Sequence, residues 1–279
     1  MRSVGKPSLK RGSDWKGKDM VADDVIAAAE DFADAAGAVI RPLFRSALLV
    51  EAKGDASPVT KADRDAEEAI RALIAARFPT HGVIGEEHGE DRPDAEWVWV
   101  LDPIDGTRAF VTGRPLFGSL IGLLHRGTPV LGIIDQPVTG ERWLGVVGRP
   151  TRFRAPIGGQ AGCRPCAAVG DAELSCTSPD MFLPPDRPGF EGLRGAARRV
   201  TWGGDCYAYG LLAIGLVDIV VDATMKIWDW AALVPVVEGA GGRVTGWHGE
   251  ALTAGADGRV LAVGDPALLH EAVRFLTDR

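Results

Sequence analysis

Apolar residues recur at helical spacing through the first part of the chain. Between residues 21 and 44 they occupy positions 21, 25, 28, 32, 36, 39, 40 and 43, which predicts one long helix. Pro42 is expected to end or bend its last turn. After the segment EAKGDASP, Thr60 can cap a second helix. The apolar face of this helix consists of Ala66, Ala69, Ile70, Leu73 and Ile74.

Short apolar stretches separated by turn residues follow the two helices. They predict strands at 82–85, 97–101, 118–124, 129–135 and 142–147. Consecutive strands joined by turns indicate an antiparallel or mixed sheet with the first helices on one face. Residues 149–171 are rich in Pro, Gly and Arg, so we expect an irregular seam between two halves there.

Helices and strands alternate in the C-terminal part. The segments GGDCYAYGLLAIG and DWAALVPVVEGAGG predict helices, VDIVVD predicts a buried strand, and DPALLHEAVRFL predicts a capped terminal helix. Pro235 is expected to bend the second of these helices. We expect residues 21–279 to form one unit, with an N-terminal α+β half at about 21–150 and a C-terminal α/β half at about 170–279.

Composition and charge narrow the class of protein. With 279 residues, 46% of them apolar, and 36 glycines, the chain fits an α/β or α+β domain. A net charge of −7 argues against nucleic acid or anionic membranes as partners, because phosphate groups attract clustered Lys and Arg. Residues 1–20 are basic, with six Lys or Arg and two Asp, and contain no apolar signal core. We interpret them as a disordered leader, with a weak polybasic contact as the alternative.

The cysteines indicate a reducing compartment. Four cysteines do not make a disulfide framework for a chain of this size, so we expect a cytoplasmic protein. Cys163 and Cys166 form a C-x-x-C pair without a second Cys or His pair, and a loop is favoured over a zinc site. No stretch reaches the roughly 18 consecutive apolar residues of a membrane span.

Two carboxylates stand directly after the most apolar predicted strand, in WVWVLDPIDGT. Pro103 fixes one φ angle and Gly106 permits a conformation that other residues avoid, so the turn can aim Asp102 and Asp105 the same way. The turn also exposes the carbonyl of Ile104. It places the amides of Gly106 and Thr107 at the start of a short helix over 107–112, which favours an anion.

Other acidic residues occupy similar positions. Glu86 follows the strand GVIG, and Asp229 follows TMKIW at the start of a helix. Each has an ordinary explanation as a turn or capping residue, and Asp63 fits the last place of a T-x-x-D capping box. If Glu86, Asp102, Asp105 and Asp229 converge, each close pair costs about 4 kcal/mol at an effective dielectric of 20. Cations must then bind, and donors that are all oxygen suit Mg²⁺.

The motifs SPVTKAD, GEE, WVLDPIDGT and WDWAA…EGAGG resemble, in order and spacing, those of the inositol monophosphatase family. The resemblance runs from about residue 21 to the C-terminus. It implies an α+β fold, an αβαβα layered sandwich of the inositol monophosphatase-like sugar-phosphatase type, usually dimeric. It also implies Mg²⁺-dependent hydrolysis of small phosphate monoesters, and we expect a homodimer.

The resemblance implies a metal site that is carried over residue by residue. Glu86, Asp102 and the Ile104 carbonyl match the ligands of a first Mg²⁺, and Asp102, Asp105 and Asp229 match those of a second. The segment with Lys53 and Asp55 resembles a mobile loop where a weaker third ion binds.

The catalytic positions are carried over in the same way. Thr107 and Asp63 match a pair that orients a water, with Glu86 beside them. The hypothesis is that a metal-activated water attacks phosphorus in line, without a covalent phosphoenzyme. His88 is interpreted as a surface histidine.

The segments DGTRAF, TSPDMF, GGDCYAYG and AALVPVVEGAGG resemble the histidinol-phosphate phosphatase branch of the family. Gly203, Gly204, Asp205 and Asp222 match substrate-contacting positions, although Glu is commoner than Asp at position 222. Histidinol phosphate carries an ammonium group that either aspartate can pair with. Arg108 is predicted to steer the anionic end, with a solvated surface arginine as the alternative. The other predicted substrate-binding positions are Glu86, Ile104, Asp105, Gly106, Thr107 and Asp229.

Three rival readings stay open. The first is a different ester, such as inositol phosphate, a sugar bisphosphate or a 3′-phosphoadenosine nucleotide. The second is a binding or regulatory protein that keeps the fold without turnover. The third is a structural calcium site, which lacks an EF-hand-type loop.

Overall fold

The structure, a computed structural model, describes residues 21–46, 50–52 and 58–278. The two helices that the apolar spacing predicts are α1 (Asp23–Leu43) and α2 (Lys61–Arg77). Pro42 lies in the last turn of α1, which ends one residue later. Between the helices, β1 (Val50–Ala52) and β2 (Pro58–Thr60) pair in antiparallel fashion. The predictions for residues 1–20, Lys53 and Asp55 fall outside the described residues.

A seven-stranded sheet contains all five predicted strands and two short strands that were not predicted. Its strands are β3 (Gly82–Gly85), β4 (Gly89–Asp91), β5 (Trp97–Asp105), β6 (Gly118–His125), β7 (Thr128–Gln136), β8 (Glu141–Val146) and β9 (Arg152–Arg154). The spatial order is β4-β3-β5-β6-β7-β8-β9. Only the β3–β5 pair is parallel, so the mixed sheet is confirmed. The predicted irregular seam at 149–171 is interrupted by β9 and by a 3₁₀ turn at Val169–Asp171.

A second sheet of five strands follows. Its strands are β10 (Glu173–Cys176), β11 (Arg199–Trp202), β12 (Ile219–Asp222), β13 (Arg243–Thr245) and β14 (Val260–Val263), in the order β11-β10-β12-β14-β13. The helices associated with it are α4 (Arg187–Ala196), α5 (Asp205–Leu212), α6 (Ile227–Trp230), α7 (Leu233–Gly239) and α8 (Leu269–Thr277). A short helix α3 (Thr107–Val111) lies between β5 and β6.

The single helix predicted from DWAALVPVVEGAGG is wrong, because the structure divides this segment into α6 and α7. Pro235 is therefore the third residue of α7. The first amides of a helix have no partner within the helix, so a proline in this turn costs no hydrogen bond and causes no bend.

Five layers stack from one side of the molecule to the other. Helices α1 and α2 cover one face of the large sheet, where Phe32 meets Trp99 edge-on at 5.1 Å between ring centroids. Helices α5, α6 and α7 fill the layer between the two sheets. Gly132 and Gly145 permit this contact, because a Cβ on either would lie within 2.2 Å of the backbone around α7. Helices α4 and α8 cover the outer face of the small sheet. The αβαβα arrangement expected from the resemblance is confirmed.

Among the described helices, none has both the length and the apolar character needed to cross a membrane.

Candidate active site

The last residues of β5 and Gly106, which follows them, form an irregular turn that is held by its own hydrogen bonds. The Ile104 amide donates to Oδ1 of Asp102 at 3.1 Å, and the Ser119 hydroxyl donates to the Pro103 carbonyl at 2.6 Å. The pairing of β5 with β6 shifts register between Asp102 and Asp105, which frees the turn from the sheet. Gly106 then adopts φ +87°, a left-handed conformation that favours glycine. The strand therefore runs four residues beyond the predicted 97–101, and the predicted turn takes the form of an irregular strand end that stops at Gly106.

Three carboxylates converge at this turn. One ligand oxygen from each of Asp102, Asp105 and Asp229 lies within 4.8 Å of the others. A backbone amide also binds an oxygen of each carboxylate. The Cys206 amide at the start of α5 donates to Asp105 at 2.5 Å, and the Lys226 amide before α6 donates to Asp229 at 2.7 Å. The large sheet and the middle helices therefore build the cluster together.

Burial and mutual repulsion dominate the electrostatics of the cluster. Burial raises the pKa of Asp102 well above its ordinary value, and the neighbouring negative charges raise it further. Burial likewise raises the pKa of Asp105, with repulsion from Asp205 and Asp229 adding to the effect. For Asp229, burial raises the pKa to about 7, although the Lys226 amide works in the opposite direction. Such carboxylates ionise fully only when positive charge is supplied.

Glu86 and Asp63 lie beside the cluster. Glu86 follows β3, the parallel neighbour of β5, and its amide donates to the Leu101 carbonyl at 3.2 Å. Its charge raises the pKa of both Asp102 and Asp229, and the charge of Asp63 also raises the pKa of Asp102. Asp63 is buried in the first turn of α2. The Thr107 hydroxyl donates to the Ile104 carbonyl at 3.1 Å.

Asp205 lies next to Gly106. A Cβ placed on Gly106 would lie 3.1–3.2 Å from three side-chain atoms of Asp205, so the two positions are in direct proximity. Asp205 has φ +43° and is preceded by Gly203 at φ +76°. Burial raises the pKa of Asp205 to about 6, while the positive charges of Arg114 and Arg108 oppose this shift.

Asp222, predicted as a substrate contact, is buried and hydrogen-bonded within the protein. Its side chain is only 1% exposed. One carboxylate oxygen accepts the Thr177 amide at 2.7 Å, and the other accepts the Tyr209 hydroxyl at 3.0 Å. Through these two hydrogen bonds, the Asp222 side chain connects the end of β12 to Thr177, after β10, and to α5 in the middle layer. A direct contact between Asp222 and the substrate stays a prediction from the resemblance.

The other residues that the sequence analysis named lie on several elements of the fold. Gly203 and Gly204 form the approach to α5, and Arg108 is exposed on α3. His88 is exposed, and its Nε2 contacts the Arg64 carbonyl at 3.1 Å. Trp202, the last residue of β11, is 43% exposed. Cys163 and Cys166 are free thiols.

One buried carboxylate near the site was not predicted. Glu67 lies on α2, one helical turn after Asp63, and is fully buried. It accepts the amides of Glu87 and His88, the two residues after Glu86. The signal in the sequence was a glutamate between Ala66 and Ile70 on the apolar face of the predicted helix, where a solvated charge does not belong.

Known proteins were compared with this chain. The model of the inositol monophosphatase family matches residues 21–276. The chain therefore belongs to the inositol monophosphatase family. The fold and the acidic cluster fit a phosphatase of this family.

Particular relatives carry different names. The chain is 41% identical over 97% of its length to the bifunctional phosphatase IMPL2 of Arabidopsis thaliana, covering 80% of that protein. It is 37% identical to a histidinol-phosphatase of Chlorobaculum parvum over 83% of this chain and 89% of the relative. A solved structure of an inositol monophosphatase from Zymomonas mobilis matches with a TM-score of 0.83 and 46% identity, covering 91% of this chain and 98% of that chain.

Proposed function

We propose that this chain is a Mg²⁺-dependent phosphomonoesterase that hydrolyses L-histidinol phosphate to L-histidinol and phosphate. The observation that carries the proposal is the cluster of buried Asp102 with half-buried Asp105 and Asp229, whose ligand oxygens lie within 4.8 Å of one another. Charges this close and this poorly solvated require cations before all three can ionise at neutral pH.

The donor set fits Mg²⁺, because it consists of carboxylate and carbonyl oxygens without Cys or His. Two ions would be held by Glu86, Asp102, the Ile104 carbonyl, Asp105 and Asp229. When bound, they supply positive charge that offsets the phosphoryl oxygens and lowers the pKa of a nearby water. The backbone amides that donate to Asp105 and Asp229 hold these two side chains in the orientation in which they would bind the ions.

In this proposal, Thr107 and Asp63 bind and orient the attacking water. The Thr107 hydroxyl donates a hydrogen bond to the Ile104 carbonyl, so the Thr107 oxygen is available to accept a hydrogen bond from the water. Asp63 lies close enough to Asp102 for its charge to raise the pKa of Asp102. In the proposal, Asp63 accepts the second hydrogen bond of the attacking water and then takes the water's proton. The amides of Gly106 and Thr107 belong to the first turn of α3, have no partner within that helix, and are assigned to the phosphate.

Asp205 is the residue assigned to substrate choice. With a pKa of about 6 it is mostly ionised at pH 7, and it stands next to the turn at Gly106. An anionic carboxylate here pairs with the ammonium group of histidinol phosphate, whereas neutral inositol hydroxyls offer it no charge. Two relatives, from Chlorobaculum parvum and Mycobacterium tuberculosis, are named histidinol-phosphatases and support this choice.

Inositol phosphate is the second candidate substrate. The solved Zymomonas mobilis protein, at 46% identity, is described as an inositol monophosphatase. The exposed Arg108 and Arg114 also weaken the negative field of Asp205, which favours a neutral polyol over a cation.

A substrate panel tests the proposal. Phosphate release is measured for histidinol phosphate, inositol 1-phosphate and a sugar bisphosphate, each with Mg²⁺ and with a chelator. We expect the highest kcat/KM for histidinol phosphate and no release with chelator. A preference for inositol phosphate would overturn the substrate assignment, and chelator-resistant activity would overturn the metal dependence.

A further inference from the structure

A buried glutamate stands directly behind the turn that carries Glu86. Glu67 is 0% exposed, so its charge must be balanced inside the protein. Arg71, one helical turn later on α2, donates from Nε to its Oε1 at 2.7 Å. The Glu67–Arg71 ion pair therefore places a carboxylate, whose charge is balanced by the guanidinium group, against the loop between β3 and β4.

The loop is bound to this carboxylate through its backbone. The Glu87 amide donates to Oε2 of Glu67 at 2.8 Å, and the His88 amide donates to Oε1 at 3.2 Å. Arg71 also donates to the Gly89 carbonyl, which lies at the start of β4. Three consecutive residues after Glu86 are therefore attached to α2.

The residue before Glu86 is shaped for the same contact. A Cβ on Gly85 would lie 2.0 Å from Oε1 of Glu67 and 2.8 Å from a guanidinium nitrogen of Arg71. Gly85 thus leaves the space that the carboxylate fills. Asp63 and Glu67 are four residues apart on α2 and share one face. The same helix face consequently reaches both the cluster and the loop beside it.

We infer that Glu67 is a positioning residue, which fixes Glu86 at the acidic cluster by binding the backbone of the loop that follows it. The inference rests on the proposed function in one respect, the assignment of Glu86 as a metal ligand. Partners behind metal ligands typically change metal affinity 10–100-fold when they are lost. Glu67→Gln keeps the size of the side chain but turns an amide NH₂ toward backbone N–H groups or toward Arg71.

The experiment measures Mn²⁺ binding to the full-length protein without substrate, by titration calorimetry. We expect Glu67→Gln to raise the Kd about tenfold. Glu68→Gln, at the exposed neighbouring position of α2, is the matched control and should leave the Kd unchanged. Arg71→Met removes only the ion pair and the bond to Gly89, so it should raise the Kd by less than Glu67→Gln does, and it provides a variant if Glu67→Gln fails to fold. Thermal unfolding in EDTA separates a change in fold stability from a change in metal affinity.

The outcomes separate the two proposals. Variants at 67 and 71 that unfold at lower temperature in EDTA but bind Mn²⁺ like the wild type would overturn the positioning role and leave the proposed function intact. A weakened Kd in the Glu67→Gln variant, together with a wild type that binds Mn²⁺ but does not hydrolyse histidinol phosphate, would support the positioning role and overturn the substrate. A wild type that binds no Mn²⁺ would overturn both.

Discussion

Replacing Asp102 with Asn should abolish activity and at the same time stabilise the metal-free protein. Asp102 is 1% exposed, and Asn keeps the side-chain oxygen that accepts the Ile104 amide. The substitution removes one charge from a cluster whose oxygens lie within 4.8 Å. At that distance and an effective dielectric of 20, each ionised pair costs about 3.5 kcal/mol.

Two such pairs, with Asp105 and Asp229, disappear in the variant. Protonation already relieves part of the repulsion in the metal-free wild type, because burial and the neighbouring negative charges raise the pKa of Asp102 well above its ordinary value. We therefore expect a net gain of roughly 2 kcal/mol at pH 8, or about 5 °C in Tm. Mg²⁺ at 100 times its Kd should stabilise the wild type by about 2.7 kcal/mol and the variant by much less.

The assay is thermal unfolding at pH 8 in EDTA and in Mg²⁺, together with phosphate release from histidinol phosphate. Asp94→Asn, at an exposed position, is the control and should behave like the wild type. Activity of Asp102→Asn should fall about 100-fold or more. A variant less stable than the wild type in EDTA, or one that Mg²⁺ stabilises equally, would refute the reasoning.

Three further predictions follow from the same contacts. Asp205→Asn should lower kcat/KM for histidinol phosphate about tenfold and leave hydrolysis of p-nitrophenyl phosphate, which has no ammonium group, nearly unchanged in the same phosphate assay. Gly106→Ala should destabilise the protein by about 1 kcal/mol in urea unfolding, because φ is +87° and the new methyl group meets Asp205, whereas wild-type stability would contradict the turn geometry. Metal-free stability should fall as pH rises from about 4 to 7, because burial raises the pKa of Asp222 and Asp229 to about 7 and the native state binds protons that the unfolded chain releases. Urea unfolding in EDTA across this range tests it, and stability that rises with pH would contradict it.

The large sheet and the two helices on it could be predicted because apolar residues recur at regular spacing along these elements. Helix α1 is 21 residues long and strand β5 is nine, so their patterns stand out from the background. Helix α4 was missed because RPGFEGLRGA contains a proline and three glycines. Strands β10 and β14 are four residues long and buried or nearly so along their length, and such strands lack alternation.

The site could be predicted in its members but not in its details. Motif order identified the acidic residues, and the structure brings Asp102, Asp105 and Asp229 together. The inward binding of Asp222 depends on the Tyr209 hydroxyl and the Thr177 amide, which lie on other elements and leave no local signal. The homodimer, the cytoplasmic location and the division into two halves stay predictions from the sequence.

Anomalous diffraction from crystals grown with Mn²⁺ shows whether divalent ions bind at the acidic cluster. We expect strong anomalous peaks bounded by carboxylate oxygens of Asp102, Asp105 and Asp229, with Glu86 at the edge of one of them. Crystals that hold Mn²⁺ elsewhere on the protein, with no peak at this cluster, would contradict this expectation.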